Sequence, residues 1–317
     1  MIDQILVPLD GSSLAECVLP HAVAFGQALD AKVTLLRAVV REEGPVSRGV
    51  DPLHWHMRKS EADSYLEEVA ARLRDAGLDV DTVLAEGAAA ERIIGYCREE
   101  EVGLVIISSH GRSGLSRWNI NSVAQKVILQ AYAPVMIVRA YQPGSQEVAE
   151  LHYRTLMVPL DGSKRAECTL PWARRLAEYH DSRLLLAHVV DKPEVPRSNP
   201  LTEEEQELIE RLTELNRQNG EAYIEEVRSR LGSAAEARLL VSEDRALALH
   251  ELVDEEEVDV VVMSAHGYSG REMWPYGSIA LNFIAFGSTP LLMIQDVSPE
   301  EAQMTAAELA AEQRAGH

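Results

Sequence analysis

The chain has 317 residues, of which 46% are hydrophobic, and it carries a formal net charge of −21 at pH 7. A surface of this sign repels the phosphate backbone of nucleic acids, which argues against DNA or RNA as a partner, although backbone N–H groups can still bind a small anion locally. No apolar run approaches the length of about 20 residues that a membrane helix needs. The first predicted strand starts close to Met1, which leaves no room for a signal peptide. We therefore expect a cytoplasmic protein with no membrane partner.

The first half of the chain begins with a short apolar run, Ile5–Leu9, that predicts a buried parallel strand. Asp10-Gly11-Ser12 ends this run, and the spacing of Ser13 and Glu16 is that of a capping box, which predicts that a helix follows directly. The later segments predict, in chain order, a strand at Val33–Val40, a helix at Ser60–Ala76, a strand at Val80–Ala85, a helix at Ala90–Glu100, a strand at Val102–Ser108, a helix at Ser122–Ala131 and a strand at Pro134–Val138.

The second half of the chain repeats the first. Residues 156–173, LMVPLDGSKRAECTLPWA, copy residues 5–22, ILVPLDGSSLAECVLPHA, and the later segment 264–270, SAHGYSG, copies 108–114, SSHGRSG. A repeat of this length indicates two copies of one fold, and each half is long enough to bury a core of its own. We therefore predict domains at residues 1–141 and 155–297, a linker at 142–154 and a C-terminal tail at 298–317.

The elements predicted for the second half follow the same order. They are strands at Leu156–Leu160, Leu184–Val190, Ala237–Val241, Val258–Ser264 and Pro290–Ile294, helices near Gly220–Leu231, Ala246–Glu256 and Ser278–Ala285, and an extra exposed acidic helix at Thr202–Asn216. Alternating buried strands and amphipathic helices predict an α/β fold, with one doubly wound, five-stranded parallel sheet in each half. Ligands of such sheets bind at the carboxyl ends of the strands, and the repeated motifs converge there.

These motifs resemble those of the universal stress protein family, and the resemblance extends over nearly all of both halves. Nucleotide-binding members of that family carry the pattern G-x2-G-x9-G-[ST] after the fourth strand. The residues at these positions are Ser108, Gly111, Asn121 and Ser122 in the first half and Ser264, Gly267, Gly277 and Ser278 in the second. Serine therefore replaces the first glycine in both halves, and asparagine replaces the third glycine in the first half.

The resemblance implies a fold of the adenine nucleotide alpha hydrolase type, with strand order 3-2-1-4-5 in each half, and ATP or a related adenine nucleotide as ligand. The implied nucleotide-binding residues of the first half are Pro8, Asp10, Ala38, Ser108, Gly111, Arg112, Asn121 and Ser122. Those of the second half are Pro159, Asp161, Val189, Ser264, Gly267, Gly277 and Ser278. Glycine lets the backbone approach a phosphate closely, and the helix that follows presents its free N–H groups and the positive end of its dipole.

The resemblance places the two aspartates near the ribose and the phosphates. We expect no metal site built by the protein alone; a magnesium ion would arrive with the nucleotide and contact Asp10 or Asp161. His110 and His266 have no partner histidine or cysteine at the spacing of metal ligands. The repeated cysteine, Cys17 in the first half, fits a small buried side chain.

Each site residue also has a purely structural interpretation. An aspartate at the end of a strand can cap the following turn, and Ser122 and Ser278 can cap the helices that they begin. Three functions therefore stay open: a regulatory or interaction protein that responds to an adenine nucleotide, an interaction module with degenerate sites, and a slow ATP hydrolase. We prefer the first function, and the second-half site, because Gly277 leaves the helix N-terminus accessible to phosphate. No enzymatic activity beyond weak ATP hydrolysis is expected.

The last predicted strand of each half is a short apolar edge that needs cover, Pro134–Val138 in the first half and Pro290–Ile294 in the second. We expect these strands to pair or pack together as a pseudo-dimer within the chain. The same surface would permit homodimers of the whole chain.

Overall fold

The computed structural model describes residues 2–40, 52–110, 120–140, 151–193, 202–232, 234–267 and 276–295. The chain divides into two compact units, the first reaching His152 and the second spanning Tyr153–Asp296. Residues 142–150 of the predicted linker and the predicted tail, 298–317, lie outside the described residues. Within the described segments, no helix is both long and apolar enough to cross a membrane.

The first unit is an α/β fold built on a parallel sheet. Its elements are β1 Gln4–Pro8, a 3-10 turn at Ala15–Val18, α1 Leu19–Leu29, β2 Lys32–Val39, α2 Pro52–Asp75, β3 Val80–Glu86, α3 Ala89–Glu99, β4 Leu104–Ser108, α4 Ser122–Gln130 and β5 Val135–Val138. Strand β1 pairs with β2 and β4, β2 pairs with β3, and β4 pairs with β5, all in parallel. The strand order is therefore 3-2-1-4-5, as predicted.

The second unit has the same topology. Its elements are β6 Thr155–Leu160, α5 Lys164–Glu167, α6 Leu170–His180, β7 Arg183–Asp191, α7 Glu203–Leu231, β8 Ala235–Ser242, α8 Arg245–Glu255, β9 Val260–Ser264, α9 Ser278–Phe286 and β10 Leu291–Ile294. Strand β6 pairs with β7 and β9, β7 pairs with β8, and β9 pairs with β10, all in parallel. This is the order 3-2-1-4-5 again, which confirms the predicted repeat of one fold.

The core of each unit lies on the two faces of its sheet. Every residue of β4 and of β9 is buried, because helices cover both faces of a parallel sheet. Burial on both faces explains why these strands are continuous apolar runs in the sequence, without the alternation of half-exposed strands.

Two local expectations differ from the structure. The predicted capping box at Ser13 and Glu16 does not form, because the chain makes a 3-10 turn there without a side-chain cap, and the Glu16 carboxylate instead accepts hydrogen bonds from Tyr65 and Arg72. The acidic stretch predicted as a separate helix is continuous with α7, which has 29 residues. A capping box does begin that helix, formed by Thr202 and Glu205.

Candidate functional site

The predicted aspartate of each unit lies in a tight turn at the end of its first strand. Oδ1 of Asp10 accepts hydrogen bonds from the Ser12 amide at 2.8 Å and from the Ser12 hydroxyl at 2.6 Å. Asp161 binds Ser163 in the same way, at 3.0 and 2.6 Å. Both carboxylates therefore cap the turn, as their structural interpretation predicts, and this turn fixes each carboxylate at the carboxyl end of the sheet.

The serines at the first glycine position hold the chain where it leaves the fourth strand of each unit. The Ser108 hydroxyl donates to the carbonyl of His110 at 2.5 Å, and Ser264 donates to the carbonyl of His266 at 2.6 Å. All four side chains are buried. Serine thus makes the same hydrogen bond to the backbone two residues later in both halves.

Gly267 approaches the aspartate turn of its unit too closely for a side chain. A Cβ atom built on Gly267 would lie 2.1 Å from Oδ2 of Asp161, far inside any real contact distance. The two residues are distant in the sequence, and β9 and β6 bring them together because these strands are neighbours in the sheet. Gly111, the corresponding residue of the first unit, and Arg112 lie outside the described residues.

The helix that follows the site begins differently in the two units. In the first unit Asn121 is the N-cap of α4, and its Oδ1 accepts from the Ala124 amide at 2.8 Å. Ser122 is therefore the first helical residue, and the expectation that it caps the helix is wrong. In the second unit Gly277 is the N-cap of α9, with no side-chain cap, and Ser278 is likewise the first helical residue. Among the described residues, no side chain caps the N–H groups that the first turn of α9 presents.

The amide of Gly277 does not belong to that free set. It donates to the carbonyl of Ala265 at 2.8 Å, and the Asn121 amide makes the equivalent bond to Ser109 at 2.9 Å. An anion at α9 would therefore bind the amides that follow Gly277 in the first turn, starting with Ser278, and not the Gly277 amide itself.

A cavity in each unit collects the predicted residues at the carboxyl end of the sheet. The cavity of the second unit has a volume of about 610 Å³ and is lined by all seven predicted residues of that half: Pro159, Asp161, Val189, Ser264, Gly267, Gly277 and Ser278. The cavity of the first unit is smaller, about 280 Å³, and is lined by six of the predicted eight: Pro8, Asp10, Ala38, Ser108, Asn121 and Ser122.

Sequence reasoning missed the wall that α3 contributes in the first unit and α8 in the second. Ile93 on α3 lines the first cavity, and Leu249 on α8 lines the second. The first residues of the same two helices, Ala89 and Arg245, also line the cavities, and the Arg245 guanidinium pairs with Asp191. Ile93 and Leu249 hold equivalent positions in the repeat, as do Ala89 and Arg245, and this correspondence could have identified them.

A second repeated feature stands behind each aspartate turn. In the first unit the Glu16 carboxylate accepts from the Tyr65 hydroxyl at 3.1 Å and from Arg72 at 2.7 Å. Burial, together with the Glu16 carboxylate, raises the pKa of Tyr65 above its ordinary range. In the second unit Arg230 donates to Glu167 at 2.9 Å. This network joins the long helix of each unit to the segment after the aspartate.

The structure shows no protein-built metal centre in the residues that it describes: no group of three or more histidine, cysteine, aspartate or glutamate side chains could hold an ion. The cysteine beside the first cavity has the character of a structural residue. Burial raises the pKa of the Cys17 thiol to about 11, although a hydrogen bond to Ser108 opposes this shift, and a thiol of so high a pKa is a poor nucleophile at neutral pH.

Known proteins match this chain in sequence and in fold. A universal stress protein of Mycolicibacterium smegmatis is 22% identical over 303 residues, which cover 92% of this chain and 96% of its own. Universal stress protein YxiE of Bacillus subtilis is 29% identical over 148 residues, which cover 44% of this chain and 100% of its own. The crystal structure of a universal stress protein from Archaeoglobus fulgidus superposes with a TM-score of 0.65 at 18% identity, over 93% of this chain and 98% of that one.

The family model that describes such proteins matches each half of the chain separately. The matched residues are 1–139 and 152–295, which together make up most of the sequence. They contain both aspartate turns and both glycine motifs on which the fold and the cavities are built. The chain therefore belongs to the Universal stress protein family, of which it carries two domains in tandem.

Proposed function

We propose that the protein is a cytoplasmic stress-response regulator that binds ATP or a related adenine nucleotide, and that the cavity of the second unit is its principal site. The observation that carries this proposal is the convergence of seven residues, chosen by motif and resemblance, on one cavity that ends at an uncapped helix N-terminus. The response to the nucleotide would be a change in conformation or in association.

The phosphates of the nucleotide would bind at the start of α9. The amides of the first turn have no intrahelical acceptor, and the helix dipole adds a partial positive charge there. The Ser278 hydroxyl stands at the same place and can donate to a phosphate oxygen. Gly277 keeps this approach clear, because it has no side chain.

The base and the ribose would lie toward β6 and β7. Pro159, Val189 and Leu249 supply apolar surface on that side of the cavity. A carboxylate and phosphate oxygens are the donors that magnesium prefers. Asp161 would therefore hold a magnesium ion together with the phosphates, and the ion would neutralise part of their charge.

The first unit is built less favourably for a nucleotide. Its cavity has less than half the volume of the other, and Asn121 already uses its side chain to satisfy an amide of the first turn of α4. This capping supports a second candidate function for the first unit, that of an interaction module which binds no nucleotide.

Isothermal titration calorimetry with ATP and magnesium tests the proposal. We expect saturable binding to the wild-type protein and its loss in Gly277→Val, because a branched side chain would occupy the path of the phosphates. The variant should fold, since a Cβ atom at this position would meet its nearest neighbour at 3.6 Å, an ordinary contact. Gly95→Val, in α3 and outside both cavities, is the matched control, because a Cβ atom there would have its nearest neighbour at 4.0 Å.

If wild type and Asn121→Gly both show no saturable binding of ATP, the interaction-module function replaces nucleotide binding for the whole chain. Release of phosphate from ATP, measured in the same samples with magnesium, separates binding from slow hydrolysis.

A further inference from the structure

The cavity of the second unit continues into a space that the nucleotide residues do not explain. This space, called here the α7 compartment, is lined by His188 of β7 and by four residues of α7: Asn216, Asn219, Gly220 and Tyr223. None of its five residues belongs to the motif that identifies the family, and the described residues that line the first unit's cavity form no corresponding part.

Two substitutions between the repeats account for the difference. Arg37 of β2 occupies the position of His188, since the two residues directly precede Ala38 and Val189, the equivalent predicted nucleotide-binding residues. Its guanidinium lies 5.0 Å from the centre of the Tyr65 ring, and its Nη2 is 2.7 Å from the place where Gly11 would carry a Cβ atom. Arg37 thus fills in the first unit the space that the shorter His188 leaves open in the second.

The second substitution concerns the residue three places before Tyr65 in the first unit and before Tyr223 in the second. It is Ala62 in the first unit and Gly220 in the second. A Cβ atom on Gly220 would lie 2.9 Å from side-chain atoms of His188, Leu239 and Val190. Glycine therefore lets α7 pack closely against β7 while the imidazole stays at the compartment wall.

The α7 compartment is polar but carries no fixed charge of its own. Nδ1 of His188 lies 2.7 Å from the carbonyl of Leu160, so this nitrogen carries a proton and donates it, and Nε2 is the ring atom left for a ligand. The His188 ring makes an edge contact with Tyr223, with 5.4 Å between ring centres. Asn216 and Asn219 add two carboxamides, each of which can donate and accept.

The Tyr223 hydroxyl points to a missing partner. Its oxygen atom is buried, and its O–H group donates to no acceptor among the residues that the structure describes. Burial raises its pKa to about 12, and the Glu167 and Asp161 carboxylates add to the shift, while the Arg230 guanidinium and a backbone hydrogen bond from Gly162 oppose it. A buried hydroxyl without an acceptor is costly, and an acceptor on a ligand would remove that cost.

We infer that the second unit binds an adenine nucleotide extended by an uncharged, hydroxyl-rich group, of the ADP-ribose type, whose terminal sugar leaves the phosphates past the Asp161–Gly162 turn of the same cavity and lies in the α7 compartment. This inference rests on the proposed function, because the nucleotide part uses the same cavity. A second phosphate is a poor occupant, since none of the described residues that line the compartment is a cation, and Arg245, which lines the same cavity, is paired with Asp191. A neutral sugar matches the mixed donors and acceptors of the wall.

The test compares ADP with ADP-ribose by calorimetry, without magnesium, on the wild-type protein and two variants. In wild type we expect ADP-ribose to bind about tenfold tighter than ADP, the change that one or two additional hydrogen bonds produce. His188→Arg copies the first unit and should reduce the preference to about twofold or less while ADP still binds. Asn219→Leu, at an exposed position of α7, removes one carboxamide at similar side-chain size and should reduce the preference without filling the compartment.

The outcomes separate this inference from the proposed function. If ADP itself does not bind, the proposed function fails. If ADP binds and ADP-ribose binds no tighter in wild type, the α7 compartment is not a ligand subsite and the inference is overturned, whatever the variants do. A preference that survives in both His188→Arg and Asn219→Leu would also overturn it, because the extension would then lie elsewhere.

Discussion

The helix cap that distinguishes the two units should control their affinity for ATP, and exchanging it tests this directly. Asn121→Gly removes from the first unit the side chain that accepts from the Ala124 amide at 2.8 Å. Gly277→Asn introduces the same cap at α9, where the structure has none. Each variant thus gives one unit the N-cap residue of the other.

The expected magnitude follows from the bond that is exchanged. Replacing asparagine by glycine at an N-cap costs only a few tenths of a kcal/mol, so both proteins should keep their fold. A hydrogen bond from an amide to a charged phosphate contributes about 1.5–3 kcal/mol. We therefore expect Gly277→Asn to weaken ATP binding by roughly 10- to 150-fold, and Asn121→Gly to strengthen binding in the first unit by up to the same factor.

The assay is calorimetric titration with ATP and magnesium, combined with thermal unfolding of each protein. Asn121→Gly is measured in the Gly277→Val background, so that the heat reports on the first unit alone. Equal ATP affinity of wild type and Gly277→Asn at equal thermal stability would falsify the view that the uncapped amides bind the phosphates.

Three further substitutions test the site and the fold around it. Asp161→Ala should weaken ATP binding by about 1–3 kcal/mol, through loss of a charge-assisted contact or metal bridge, and equal affinity of this variant and wild type would remove Asp161 from the site. Gly267→Ala should lower the free energy of unfolding by roughly 1–3 kcal/mol, because its Cβ atom would lie 2.1 Å from Oδ2 of Asp161. In the double variant with Asp161→Ala, the loss of stability should be smaller than the sum of the losses in the two single variants. Losses that add simply would contradict the close approach of the two residues. Burial lowers the pKa of His21 to about 4 in the folded protein. The unfolded chain therefore binds a proton near pH 6.5, whereas the folded chain does not bind it until the pH approaches 4. The free energy of unfolding that is present at neutral pH is consequently lost as the pH falls. Relative to His21→Gln, wild type should therefore lose about 1–2 kcal/mol between roughly pH 7 and 5, measured by denaturant unfolding at each pH; parallel pH profiles would contradict this.

The sequence by itself determined those features that depend on residues close together in the chain or on the repeat. Apolar runs such as Ile5–Leu9 predict buried strands because a parallel sheet hides both faces of a strand. The aspartate turn is a contact between residues two apart, so Asp10 and Asp161 could be placed from their local sequence. Because the two halves repeat one another, each assignment made in one unit also applied to the other. The strand order was predicted from the resemblance.

Only the tertiary structure decided which side chains meet across the sheet and which space stays open. The spacing of Ser13 and Glu16 fits a capping box, yet the Glu16 carboxylate is taken by Tyr65 and Arg72 of a distant helix, whose hydrogen bonds compete with the local one. Periodicity places Arg37 and His188 on the same face of equivalent strands, but it does not show that the longer side chain fills the space that the shorter one leaves. Contacts of this kind depend on packing between segments far apart in the chain, and no local pattern encodes them.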